Sequence, residues 1–142
     1  MPNFFSTEAQ LLQNTPREVP NGAIAGGRVR RFRNTIALAS QAAADTITCQ
    51  PIPPNHVFAY GILTATATLG ASATIAIGIA GTPAKFRAAA VFTAVETPTL
   101  FGLSTAMDDA FSTAIETPII TIAVAALPAS GVLVVDFYYS GL

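Results

Sequence analysis

The chain has 142 residues, of which 51% are apolar and 11% charged, and its seven basic and eight acidic groups leave a net charge of −1. That length suits one domain, and a fold of this size buries roughly 68–70% of its unfolded surface, so a core needs neither disulfide nor metal. The near-neutral balance argues against a nucleic-acid binder, and high apolarity with little charge argues against intrinsic disorder.

Much of the apolarity is small: alanine supplies 27 residues, and 17 threonines accompany it. Residues 57–84 carry no charge and are long enough to cross a bilayer, but Thr64, Thr66, Thr68, Gly70, Ser72, Thr74, Gly78 and Gly81 interrupt them. Basic anchors and aromatic belts at both ends are missing as well, so no membrane span is expected. Residues 1–20 lack the basic start and apolar run of a secretory signal, and the lone Cys49 has no internal disulfide partner. Synthesis in a reducing cytoplasm is the expectation.

In chain order, residues 1–27 come first and differ in texture from the rest. Pro2, Pro16, Pro20, Asn21-Gly22 and Gly26-Gly27 punctuate them without any sustained period, which reads as an extended N-terminal arm. Its apolar groups Phe4, Phe5, Leu11 and Leu12, together with Arg17, are candidate docking residues for another chain. Residues 1–33 hold five of the seven cations, and four of them, Arg28, Arg30, Arg31 and Arg33, fall within six positions.

From Val29 onward the apolar period is two, which means strands. Segments bounded by Gly and Pro turns fall at 29–39, 45–50, 57–69, 73–80, 85–94, 99–105, 115–125 and 131–140. Ile75, Ile77 and Ile79 share a face, as do Ile120, Ile122 and Val124, and Leu133, Val135, Phe137 and Tyr139. In 57–69 the alternation puts Phe58, Tyr60, Ile62 and Thr64 on one side. Alanine-rich pieces at 40–44, 88–90 and 105–114 suit short helical turns. Eight short strands with such turns predict an all-β, two-sheet β-sandwich of jelly-roll type over 28–142, with the arm before it. An immunoglobulin-like sandwich is second, weakened by the absence of Trp and of a cysteine pair.

Catalytic chemistry has little to work with, and the expectation is no enzyme and no cofactor. His56, the one histidine, reads as a solvated loop residue and Cys49 as an inert buried thiol. Asp108-Asp109 lack the oxygen-rich surroundings of a calcium loop and read as a cap. The sextet Arg-Val-Arg-Arg-Phe-Arg at 28–33 is the densest candidate. On a strand, Arg31 and Arg33 oppose Arg30 and Phe32, so both faces carry cation. Docking of an acidic protein partner, protection of an exposed strand edge and phosphate binding are the three readings, and docking leads.

Three stretches carry a family resemblance. They are Thr35-Ile-Ala-Leu-Ala-Ser-Gln-Ala-Ala-Ala-Asp-Thr-Ile47, Ala73-Thr-Ile-Ala-Ile-Gly-Ile-Ala-Gly-Thr-Pro-Ala-Lys-Phe-Arg-Ala-Ala89 and Leu127-Pro-Ala-Ser-Gly-Val-Leu-Val-Val-Asp-Phe-Tyr-Tyr-Ser140. In texture and phrase, over about 35–140, they resemble capsid cement or decoration proteins of tailed bacteriophages. The resemblance implies a structural virion protein with no catalytic residues, bound to the outside of an icosahedral shell and bridging neighbouring major capsid protein subunits. With the physics of self-complementary low-charge faces it leads to a homodimer, alternatively a trimer. A receptor- or carbohydrate-binding module of a spike or fibre is the alternative from a different class.

Overall fold

The computed structural model describes residues 6–20, 22, 25–107 and 110–141. A helix, α1 (Thr7–Gln13), is followed by eight strands: β1 (Arg28–Ala37), β2 (Thr46–Thr48), β3 (His56–Ala65), β4 (Thr74–Ile79), β5 (Thr82–Val91), β6 (Thr99–Phe101), β7 (Pro118–Ala123) and β8 (Val132–Gly141). A single 3-10 turn spans Ser104–Ala106. Two antiparallel sheets result, in the orders β1-β8-β3-β6 and β2-β7-β4-β5.

The pairing has a simple logic. β1 pairs β8, β2 pairs β7, β3 pairs β6 and β4 pairs β5, so each strand lies beside its counterpart counted from the other end. One long antiparallel ribbon is thus wrapped on itself, and the β3–β8 and β4–β7 pairings close the wrap into two sheets. That is the jelly roll, and this strand order excludes the immunoglobulin alternative.

The core lies between the sheets and follows the period-two pattern. Ile75, Ile77, Ile120 and Ile122 from one sheet face Leu133, Val135, Phe137 and Tyr139 from the other, all fully buried. At one end an aromatic cluster fills the gap. Phe58 lies 4.7 Å from Phe86 and 5.4 Å from Tyr139, and Phe101 meets Phe137 edge-on at 5.8 Å. Gly61 makes room for this cluster, because a Cβ there would overlap the Phe101 ring.

Several expectations differ from what is found, each for a local reason. The register slips between Phe58 and Tyr60, so Phe58 faces the core while Tyr60, Ile62 and Thr64 face outward. A bulge opposes two residues to one and inverts every side chain beyond it. Val124, just past the end of β7, turns to φ +72° and is exposed instead of continuing the Ile120–Ile122 face. Ala88–Ala90 belong to β5, and of the expected helical turns only the 3-10 turn at Ser104–Ala106 is helical among the described residues. Within the expected arm, residues 7–13 are helical, with the Ser6 hydroxyl accepting from the Ala9 N–H at 3.3 Å as N-cap.

Candidate functional site

β1 is an edge strand, and alternation divides its cations between two sides. Phe32 and Ile36 pack against the core, which turns Arg31, Arg33 and Thr35 outward. Arg33 makes a two-pronged ion pair with Asp136 on the neighbouring β8, Nε to Oδ1 at 2.9 Å and Nη2 to Oδ2 at 2.7 Å. Hydrogen bonding to that carboxylate, and then its charge, raise the Arg33 guanidinium above its ordinary range. Asp136 itself is buried, so the arginine covers it.

Arg30 points to the other side, with Nη1 2.9 Å from His56 Nε2. The opposite ring nitrogen, Nδ1, faces the carbonyl oxygens of Pro53 at 3.1 Å and Pro54 at 3.0 Å. Carbonyls only accept and guanidinium only donates, so Nδ1 bears the proton and Nε2 accepts from Arg30. His56 is therefore a buried, fully partnered residue at the start of β3, not the solvated loop histidine expected. Phe32 meets its ring edge-on at 5.9 Å. Arg28 and Arg31 are exposed and stand outside the two ion pairs found among the described residues, Arg33–Asp136 and Lys85–Glu116.

The outer face of the sheet continues from these arginines. Arg31 lies opposite Tyr138, and Tyr138 opposite Tyr60, the two rings stacked at 4.6 Å and 16°. The next row runs Arg33, Asp136, Ile62 and Leu100. Leu100 is 70% exposed and Met107 47% exposed, and with Tyr60 and Ile62 they border an open hollow of about 650 Å³. Sequence reasoning missed Ile62, Leu100 and Met107, and weighed Tyr60 and Tyr138 only as aromatics available to a sugar site. The signal was the apolar character of both alternating sets in β8, where Val134 and Tyr138 point away from the core.

Of the arm candidates, Phe4 and Phe5 lie outside the described residues. Leu11 is half-buried and Leu12 exposed on α1, and Arg17 is exposed in the turn that follows. Among the described residues, α1 has no extensive contact with β1.

Chemistry elsewhere is self-contained. Glu116 accepts from the Tyr139 hydroxyl at 3.0 Å and pairs with Lys85, pinning the β6–β7 connection to both sheets. Burial first, then the Glu116 charge and hydrogen bond, hold the Tyr139 phenol far above its usual range. Burial pushes the Cys49 thiol up to about 11, so it is no ready nucleophile at neutral pH. Asp108 and Asp109 lie outside the described residues, and no group of three or more His, Cys, Asp or Glu is placed to hold a metal among those described. No described helix is long and apolar enough to cross a membrane.

No family model and no curated protein matches the chain. Its fold is similar to that of chains in three solved phage structures. A chain of the cyanophage Pam1 capsid asymmetric unit aligns over 100% of both chains at 18% identity with a TM-score of 0.69. A chain of the Ralstonia phage GP4 capsid aligns over 82% of this chain and 86% of its own, at 20% identity and a TM-score of 0.66. A chain of the acid-stable capsid of Helicobacter pylori bacteriophage KHP30 aligns over 79% and 86%, at 12% identity and a TM-score of 0.55. At these identities what is shared is the jelly-roll fold, here carrying a half-anchored arginine edge and an uncovered aromatic face.

Proposed function

We propose that this chain is a structural virion protein that binds the outer surface of a phage capsid and cements neighbouring major capsid protein subunits. The observation that carries this reading is the end-to-end likeness to a chain of the Pam1 capsid asymmetric unit. The character of the surface supports it: Tyr, Arg and Met are the residues enriched where protein interfaces are buried, and here they line one face together. A cementing protein acts through area, since each copy bound across two subunits adds its binding free energy to the cost of separating them. Its partners are the major capsid protein and further copies of itself, as a dimer or a trimer, with no nucleic acid, membrane, cofactor or enzymatic step.

Arg28 and Arg31 are the residues to test, because Arg30 and Arg33 also hold the fold together. Arg28→Gln with Arg31→Gln should leave the protein folded, weaken its binding to particles and flatten the salt dependence of that binding. Particles lacking the protein should rupture at lower temperature or osmotic stress than particles carrying it. Equal rupture with and without it sinks the cementing role. The Tyr60–Tyr138 stack beside Arg31, with Tyr60 exposed and Tyr138 half-buried, favours a second reading, a carbohydrate- or receptor-binding module. Glycan-array binding by the purified protein, lost in Tyr60→Ala, would favour that one.

A further inference from the structure

Among the described residues the two sheets offer four edges, and three of them are closed to a further strand. β2 and β6 are only three residues long. β5 is longer, but its register slips on both sides of Ile77. Along it the Phe86 carbonyl accepts from the Leu103 N–H at 3.2 Å, and the Arg87 guanidinium donates to the Ala90 and Val91 carbonyls, each at 3.1 Å. Short length, bulges and covered backbone groups are ways in which proteins keep an edge from pairing.

β1 has none of these three. Its ten residues pair β8 without a register shift, from Arg28 opposite Gly141 to Ala37 opposite Val132, and no proline interrupts them. The Leu38 N–H donates to the Gly131 carbonyl at 2.9 Å, which extends that ladder and sets its phase. Alternation then turns the backbone groups of Arg30, Phe32, Asn34 and Ile36 toward β8, and those of Val29, Arg31, Arg33 and Thr35 away from it. Among the described residues nothing hydrogen-bonds to these four outward sets. The nearest fastenings pass them by: the Gln41 side chain donates to the Ala37 carbonyl at 2.9 Å, and Asn34 Oδ1 accepts from the Gln50 N–H at 2.6 Å.

Only charge guards this edge, and charge excludes some strands while favouring others. A second β1 laid antiparallel through the centre of the strand sets Arg31 or Arg33 opposite an arginine of the copy, whichever central register it takes. Like charges directly opposite destabilise a sheet. A strand bringing a carboxylate beside Arg31 meets the reverse situation. Arg31 is exposed and outside the ion pairs found, its β8 neighbour is Tyr138, and Asp136 is engaged by Arg33.

We propose that the free edge of β1 takes an extended, carboxylate-bearing segment of another protein as an added strand, bonded to the backbone of Val29, Arg31, Arg33 and Thr35 with an acidic side chain beside Arg31. In such strand addition the main chain supplies affinity and the alternate side chains supply selectivity. This deepens the capsid-binding reading and rests on it for the identity of the partner, which is then a segment of the major capsid protein.

The test uses the full chain in solution, with a synthetic peptide alternating glutamate and valine as the probe. In the free protein, amide hydrogen exchange should be fast at Val29, Arg31, Arg33 and Thr35 and slow at Arg30, Phe32, Asn34 and Ile36. The peptide should slow the first set by about tenfold or more and leave the second unchanged. Methylating one alternate set of the peptide's amide nitrogens should abolish binding, and methylating the other should not. Thr35→Pro removes an outward N–H and no bond to β8, so it should bind the peptide about tenfold or more weakly than Thr35→Ala does. The proposal is overturned if the peptide fails to bind at millimolar concentration, if exchange slows without alternation, or if both methylated peptides bind like the unmodified one. A folded Thr35→Pro protein that binds as Thr35→Ala does would overturn it too. No capsid enters these measurements, so a protein that adds the peptide strand yet ignores phage particles sinks the capsid reading and upholds this one.

Discussion

Gly61 lies in the middle of β3, where general propensity and the structure make opposite predictions. Glycine in a strand interior costs conformational entropy, so Gly→Ala at an unstrained position normally stabilises by roughly 0.4–1 kcal/mol. Here the added methyl would overlap the Phe101 ring, which packs against Phe58 at 6.4 Å and Phe137 at 5.8 Å. The ring cannot tilt away cheaply, because Phe58 in turn touches Phe86 and Tyr139. Gly61→Ala should therefore destabilise by about 1–3 kcal/mol, the usual cost of overpacking, or about 3–10 °C in melting temperature for a chain of this size. Guanidinium unfolding of Gly61→Ala, Phe101→Ala and the double variant completes a thermodynamic cycle. Phe101→Ala alone should cost about 3–5 kcal/mol, and adding Gly61→Ala to it should cost almost nothing, a coupling of at least about 1 kcal/mol. A Gly61→Ala protein as stable as the parent, or strict additivity in the double variant, would refute the packing argument.

The high Cys49 value makes stability pH-dependent on the alkaline side. An unfolded thiol releases its proton near pH 9.0 while the folded one holds it to about 11, so its contribution is complete below pH 9 and lost as pH rises through 11. Across that window the parent should lose about 3 kcal/mol more than Cys49→Ala does in urea unfolding, and parallel curves for the two would contradict the assignment. Among the arginines, Arg33→Gln uncovers buried Asp136 and should lower the melting temperature, whereas Arg31→Gln should leave it unchanged. Equal effects of the two in calorimetry would show that the Asp136 pairing carries no stability.

The candidate site was legible only in outline. The cluster at 28–33 announced itself by charge density, and alternation correctly set Arg31 and Arg33 against Arg30 and Phe32. Nothing local revealed that Arg33 and Arg30 are already occupied. Their partners Asp136 and His56 lie 103 and 26 positions away. The face beside them stayed hidden for a different reason: a bulge between Phe58 and Tyr60 cannot be read from a pattern that continues unbroken through it. The helix in the N-terminal segment escaped because a seven-residue helix offers too little period to detect among prolines.

What the residues settle unaided is set by near neighbours: β-branched alternation, Gly and Pro punctuation and the crowding of cations into one strand. These depend on local sterics and on period, so they predicted eight strands and most of the inward-facing set. Which strands pair, which side of a bulge faces water and which arginines are left outside an ion pair depend on groups brought together from opposite ends of the ribbon. Only folding puts β1 beside β8 and β3 beside β6, and that juxtaposition creates both the anchored arginine edge and the open hollow. The composition made a chain poor in charge, and the wrap decided where its uncovered apolar surface would lie.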